Sequence, residues 1–351
     1  MMRGVAPQIQ TTATSDKTTA RKSTLELPGK IAIADQQRFS SHRCGWNYAI
    51  HSLQALHNPD GVIFDGFLES SFFWQKDKQK VPYEKPWVGF LHNPPSMPHW
   101  FRYETSPQTL FKSLAWQQSR PYCKGLFCLS QHQAHWLREK TGLPVSALIH
   151  PTEIPSIQFN FDRFIANAQK KIVQVGWWLR QLNAIDMLPI ETDNSLSYQK
   201  AKLTPVSSPA AIAQIDHLTK IEQDTCPPLS RRYISTKARV LPRLSNYEYD
   251  QLLTKNIAFV FFHDTSANNA IVECIARATP VVVNPLPAVV EYLGKSYPLY
   301  ANTLEEAARK VQDISRIKAA HHYLKSCSTR QQLSEEHFRE SFFNSEVYQG
   351  L

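Results

Sequence analysis

The chain has 351 residues, 42% of them apolar and 20% charged, which is too long for one ordinary core and suits two domains of about 150 residues each. Its formal net charge of +9 favours anionic partners such as nucleotide phosphates or acidic lipid headgroups. No zinc-finger spacing, RNP-type aromatic motif or concentrated basic helix supports nucleic acid, and no apolar run approaches the ~18 residues that span a bilayer.

Residues 1–29 contain six threonines, no aromatic residue and no periodicity, which predicts a disordered tail with no apolar signal segment. Order is expected from Lys30. Ile31–Ala34 gives a first strand. The spacing of Trp46, Ala49, Ile50, Leu53 and Leu56 gives a helix, stopped by Asn58-Pro59-Asp60-Gly61. Val62–Phe64 is a second strand, and strand, loop, helix, strand opens a Rossmann-like unit. Pro86–Leu91 is a third, ending in the polar tip His92-Asn93-Pro94-Pro95. Lys124–Leu129 is a fourth. Ser130 then caps a helix carrying Ala134, Trp136 and Leu137, and Val145–Ile149 is a fifth strand.

Residues 151–169 are polar and irregular, and a second α/β unit opens at Lys171–Gly176. Between 182 and 236 the pattern yields only helices and loops without boundaries. Regularity returns with a strand at Ala238–Leu241, a helix near Tyr247–Leu253, a strand at Ile257–Phe262, a helix at Asn268–Ala278 and a strand at Pro280–Val283. Residues 304–343 are expected to be largely helical. The six cysteines form no C-x-x-C pair, so they are expected to be reduced thiols of a cytosolic protein.

The most informative stretch runs from Phe261 to Val283. A strand ends, small polar residues turn the chain, and a helix begins, so backbone N–H groups and the positive end of a helix dipole are offered to an anion. Ser266, Ala267, Asn268 and Asn269 are small enough for a diphosphate to approach. Glu273, one turn further on, places a carboxylate where it can accept both ribose hydroxyls of the same nucleotide. A generic βαβ unit with a solvent-facing glutamate has the same pattern.

Glu273 with Ala276-Arg277-Ala278-Thr279-Pro280-Val281-Val282, continued by Asn284–Gly294, resembles the donor-site signature of retaining GT-B glycosyltransferases of the group 1 type. The resemblance implies ribose binding by Glu273 and phosphate binding by the N–H groups before it. Thr265 stands where that family often has a second glutamate, and Asp264 lies beside it, so this pair is the candidate contact to the donor sugar. Ile172–Arg180 is similar to the first strand and loop of the family's C-terminal domain, which implies Arg180 as the diphosphate ligand; Ile185 replaces the companion lysine. Arg243 is a further candidate for the base or phosphate, with ordinary surface charge the alternative for both arginines. Gly89–Pro94 resembles the strand whose terminal histidine points across the cleft, which nominates His92, with Asn93 shaping the site. His42, in the loop 40–47 with Gly45, would be the general base of an inverting enzyme. Asp65 and Glu69 are either acceptor ligands or exposed loop charge. The resemblance covers roughly 85–155, 171–181 and 238–300.

These readings predict an α/β protein of two Rossmann-like domains facing across a cleft. Residues 30–155 form the acceptor-side domain, 156–170 the linker and 171–310 the nucleotide-sugar-binding domain. Helices 311–351 pack back on the first domain. The expected function is transfer of a sugar from a nucleotide-sugar donor to a glycan, lipid-linked or other hydroxyl acceptor, with retention. The donor is a substrate. No metal or other cofactor is required, because arginine and the helix dipole stabilise the leaving diphosphate. Peripheral membrane contact is a further expectation. A sugar-nucleotide epimerase or phosphorylase and a non-catalytic GT-B-like binding module are the alternatives.

Overall fold

The computed structural model describes residues 29–33, 45–74, 81–190, 198–204, 206, 208–225 and 237–351. The expected tail (Gly29 excepted), His42, Cys44 and Cys226 lie outside the described residues.

Ten described strands form two parallel sheets. The first contains β1 (Ile31–Ile33), β2 (Val62–Asp65), β3 (Trp87–Phe90), β4 (Cys123–Cys128) and β5 (Val145–Ala147), in that spatial order. The second contains β6 (Lys171–Val175), β7 (Gln199–Leu203), β8 (Arg239–Val240), β9 (Ile257–Val260) and β10 (Val281–Val283), in the order β10-β9-β6-β7-β8. Helices cover both, giving two Rossmann-like domains.

Alternation along the first sheet sends side chains to two cores. Phe64, Val88, Phe90 and Phe127 face one side, where they meet Phe338 and Phe342 of the helix Glu335–Phe343 and Val347 and Tyr348 of the helix Glu346–Gln349. Trp87, Leu126 and Cys128 face the other, packed with Trp116, Ala134 and Leu137. The last two helices thus cover one face of the N-terminal sheet, with the Phe127 and Phe342 rings stacked 4.5 Å apart, whereas the helix Ile314–Ser326, expected to do the same, packs Ile317, Ala320 and Leu324 into the core of the second domain. The second sheet has a larger core, in which Ile172, Val173, Phe259, Ile275 and Val282 are fully buried.

The stretch without a legible pattern supplies β7 and the helix Pro209–Thr225. On β7 only Ala201 and Leu203 are buried, while Lys200 and Lys202 stretch to the main-chain carbonyl and carboxylate of Asp186. The helix turns inward just Leu218 and Glu222. Residues 151–169 are also more ordered than expected. They carry the helix Phe161–Ala166, and the amides of Phe159 and Asn160 bind the carbonyls of Arg277 and Thr254. Cys123, Cys128, Cys274 and Cys327 are buried free thiols. No helix of the described residues is long and apolar enough to cross a membrane.

Candidate active site

The order of the second sheet reverses between β9 and β6. At such a switch point the loops leaving neighbouring strands diverge and open a crevice beyond the carboxyl ends. Here the banks are the loop after β6, carrying Gly176–Arg180, and the loop after β9, carrying His263–Asn268. A cleft of about 430 Å³ opens there, closed on its far side by Trp46, Phe67, His92 and Asn93 of the N-terminal domain.

Several contacts join the walls. The Ser96 amide donates to Asp264 Oδ2 at 2.7 Å, and Trp178 Nε1 donates to Asn93 Oδ1 at 3.1 Å. The Ser266 hydroxyl donates to Gln133 Oε1, whose Nε2 donates to the Asn93 carbonyl at 2.7 Å. Glu291 accepts the amides of Gln131 and His132 at 2.6 and 2.7 Å, so a carboxylate of one domain caps a helix of the other.

The helix Asn269–Arg277 starts at the cleft. Asn268 is its N-cap, and its Oδ1 accepts the Ala270 amide at 3.0 Å. Among the described residues, the amides of Ser266, Ala267, Asn268 and Asn269 meet no acceptor. Four N–H groups at the positive end of a helix therefore remain open beside the cleft. Glu273, on the same helix, is buried rather than solvent-facing and lines the cleft. Its Oε2 accepts the Tyr249 hydroxyl at 2.5 Å. Burial, and then the Glu273 charge, push the Tyr249 phenol well above its ordinary value, so it stays a neutral donor.

Arg180 is no surface charge. Its guanidinium is buried, lies 5.2 Å from the centre of the Phe262 ring, and donates to the Val175 carbonyl (3.2 Å), the Trp178 carbonyl (2.6 Å) and Asn268 Oδ1 (2.9 Å). Three of its five N–H groups are thus engaged. Burial pushes its pKa down to about 10, so it remains a cation at neutral pH. It has no ion-pair partner among the described residues. Gly176 makes room for it: φ is +79°, and a Cβ there would stand 2.7 Å from Nη2. Ile185 is buried in the core, so the missing lysine is replaced by packing. Arg243 is exposed and is not among the residues lining the cleft, because the two-residue strand before it runs along the outer edge of the sheet.

His92 stands at the tip of β3 and lines the cleft, edge-on to Trp46 (4.4 Å) and Phe67 (4.2 Å). Neither ring nitrogen meets a hydrogen-bond partner among the described residues; Nδ1 lies 3.6 Å from Glu69 Oε2. Glu69 Oε1 accepts the amides of His92 and Asn93 at 2.8 and 2.6 Å, fixing the tip. Asp65 accepts the Phe67 amide and the Tyr83 hydroxyl. Both carboxylates are buried, so neither is exposed loop charge. Asp264 is buried too. Burial raises its pKa, against the amides of Ser96 and Thr265, which favour the charged form. Thr265 and Gly45 line the cleft beside it.

No family model matches the sequence, and no curated protein matches it. Solved structures do. Trehalose-6-phosphate synthase OtsA aligns over 86% of this chain and 76% of its own, with TM-score 0.55 and 13% identity. The E. coli trehalose-6-phosphate synthase bound with UDP-2-fluoro glucose aligns over 86% and 77%, with TM-score 0.54 and 12% identity. A trehalose-6-phosphate synthase structure concerned with glycosyltransfer with retention aligns over 86% and 77%, with TM-score 0.52 and 13% identity. The chain has the GT-B fold.

On that GT-B frame, His92, Asp264, Thr265, Ser266, Ala267, Asn268, Asn269, Glu273 and Arg180 gather at one cleft, and Arg243 does not. Nothing local in the sequence points to Tyr249 or Gln133, whose roles depend on partners distant in the chain. The arrangement offers an anion seat, a buried carboxylate one helical turn from it, and a facing imidazole.

Proposed function

We propose that this chain is a glycosyltransferase that moves a sugar from a nucleotide-sugar donor to a hydroxyl acceptor, with retention and without a metal. The observation that carries the proposal is the row of four open amides, Ser266 to Asn269, at the start of the helix bearing Glu273 and opposite His92. The donor diphosphate rests on those amides. Arg180 adds its charge through Asn268 rather than by a fork to the phosphates. Glu273, held by Tyr249, accepts the ribose hydroxyls. His92 and the Asp264–Thr265 pair flank the sugar. The bond from the anomeric carbon to the phosphate oxygen breaks, a bond to the acceptor oxygen forms on the same face, and the leaving phosphate takes the acceptor's proton. The net charge of +9 supports peripheral contact with an acidic membrane surface and a lipid-linked or polysaccharide acceptor on the cytosolic side.

A non-catalytic binding module is the second reading. It is favoured by the engaged donors of Arg180 and by Ile185 in the core. Incubation with a panel of UDP-, GDP- and ADP-sugars separates the two. A transferase releases nucleoside diphosphate slowly even without acceptor, and Glu273→Gln lowers kcat/KM about 10- to 100-fold, the worth of a hydrogen bond to a charged group. Binding without turnover supports the module, and epimerised donor supports an epimerase.

A further inference from the structure

The helix Pro209–Thr225 lies in the stretch with no family resemblance, yet it reaches the underside of the site. Glu222 on this helix is 4% exposed, and four donors converge on its carboxylate. Oε1 accepts the Leu182 amide at 3.0 Å and His263 Nε2 at 2.6 Å. Oε2 accepts the Asn183 amide at 2.8 Å and Asn183 Nδ2 at 2.7 Å. Leu182 and Asn183 follow Arg180 in the loop after β6. His263 precedes Asp264, Thr265 and Ser266 in the loop after β9. These loops are the two banks of the switch-point crevice.

We propose that Glu222 is a positioning residue that sets the spacing of the two donor-binding loops from beneath, as the Arg180–Asn268 bond does from within the cleft. It rests on the transferase reading only for the identity of the ligand. One turn earlier, Leu218 packs with Leu179 and Leu182, and with Met97 and Phe101 of the N-terminal domain. The Trp100 ring meets His263 edge-on at 5.1 Å. The helix therefore also seats the segment whose Ser96 amide binds Asp264.

A buried carboxylate with this many donors is well satisfied, and its loss leaves them unpaired. Glutamine cannot replace it. Whichever way the amide is turned, its NH2 faces one backbone N–H, that of Leu182 or that of Asn183.

The test compares wild type, Glu222→Gln, His263→Gln and the double variant. The probe is whichever of UDP, GDP and ADP stabilises wild type. Glu222→Gln is expected to weaken nucleotide binding about tenfold and, because it leaves a buried N–H unpaired, to lower the melting temperature of the unliganded protein as well. His263→Gln is expected to weaken it less, and the double variant no more than Glu222→Gln alone, because both act through one clamp. Wild-type affinity in Glu222→Gln, or effects that multiply, would overturn the clamp while leaving the transferase reading intact. Failure of all three nucleotides to bind wild type defeats that reading instead. The clamp then stands or falls on hydrogen exchange of the unliganded protein. Amides 181–183, and those of Phe262 and His263 that donate to Asn284 Oδ1 and the Leu179 carbonyl, should exchange faster together in Glu222→Gln, or in His263→Gln if the first variant does not fold. Loosening of one loop alone overturns it.

Discussion

Asp264 is ionisable, buried and poised at the cleft, and its titration has a sign that can be checked. Burial raises its folded pKa above the ordinary 3.8, so in the window above that value the native state holds a proton the unfolded chain has released. Its contribution to stability therefore falls as pH rises through that window. Asp264→Asn removes the titration. Urea midpoints measured for both proteins from about pH 3.5 to 7 should show the difference moving in the variant's favour as pH rises; a constant difference contradicts the assignment. Glu273 and the 264–269 turn were legible in the sequence because strand, small-residue turn and helix are contiguous. The engagement of Arg180 was not, because it depends on the backbone at Gly176 and on Asn268, 88 residues away. Asp65 and Glu69 misled for the same reason. Nothing local announces that Tyr83 and the 92–93 amides would bury them.

At the scale of elements, patterned apolar runs marked nine of the ten strands, whereas β7 lacked such a run and the helix Pro209–Thr225 had no legible boundary. Lysines that snorkel to Asp186 disguise a half-buried strand as a polar loop. The helix spaces Ile212, Ile215, Leu218 and Ile221 three apart, but Ile212 is exposed and only Leu218 and Glu222 are buried, so the apolar spacing does not mark its inward face. Caps were more legible. Ser130 begins the helix Gln131–Thr141, accepting the Gln133 amide at 3.2 Å, and Gly142 ends it in the left-handed region. Because Ser130 is buried and no water can replace its bond, Ser130→Ala should cost about 1 kcal/mol, read as a lower urea midpoint with an unchanged slope. An unchanged midpoint would show that Glu291, which already holds the amides of Gln131 and His132, suffices as the cap.

For the whole molecule, the chain's end is as much a part of the first domain as its beginning. Phe342 is fully buried against Phe64, Phe90 and Phe127, so its side chain fills the core over the N-terminal sheet. Phe342→Ala should lose about 3–5 kcal/mol through the cavity it leaves, seen as a large fall in the denaturant midpoint. The C-terminal helices thus complete the wall that presents His92 to the second domain. Across that cleft, the most direct measurement is a thermal-shift titration with UDP, GDP and ADP. One of them should raise the melting temperature saturably, by the equivalent of about 2.7 kcal/mol at a hundredfold excess over Kd, and Glu273→Gln should diminish the shift. No shift with any of the three at millimolar concentration would contradict the seating of a nucleoside diphosphate on the amides of Ser266–Asn269.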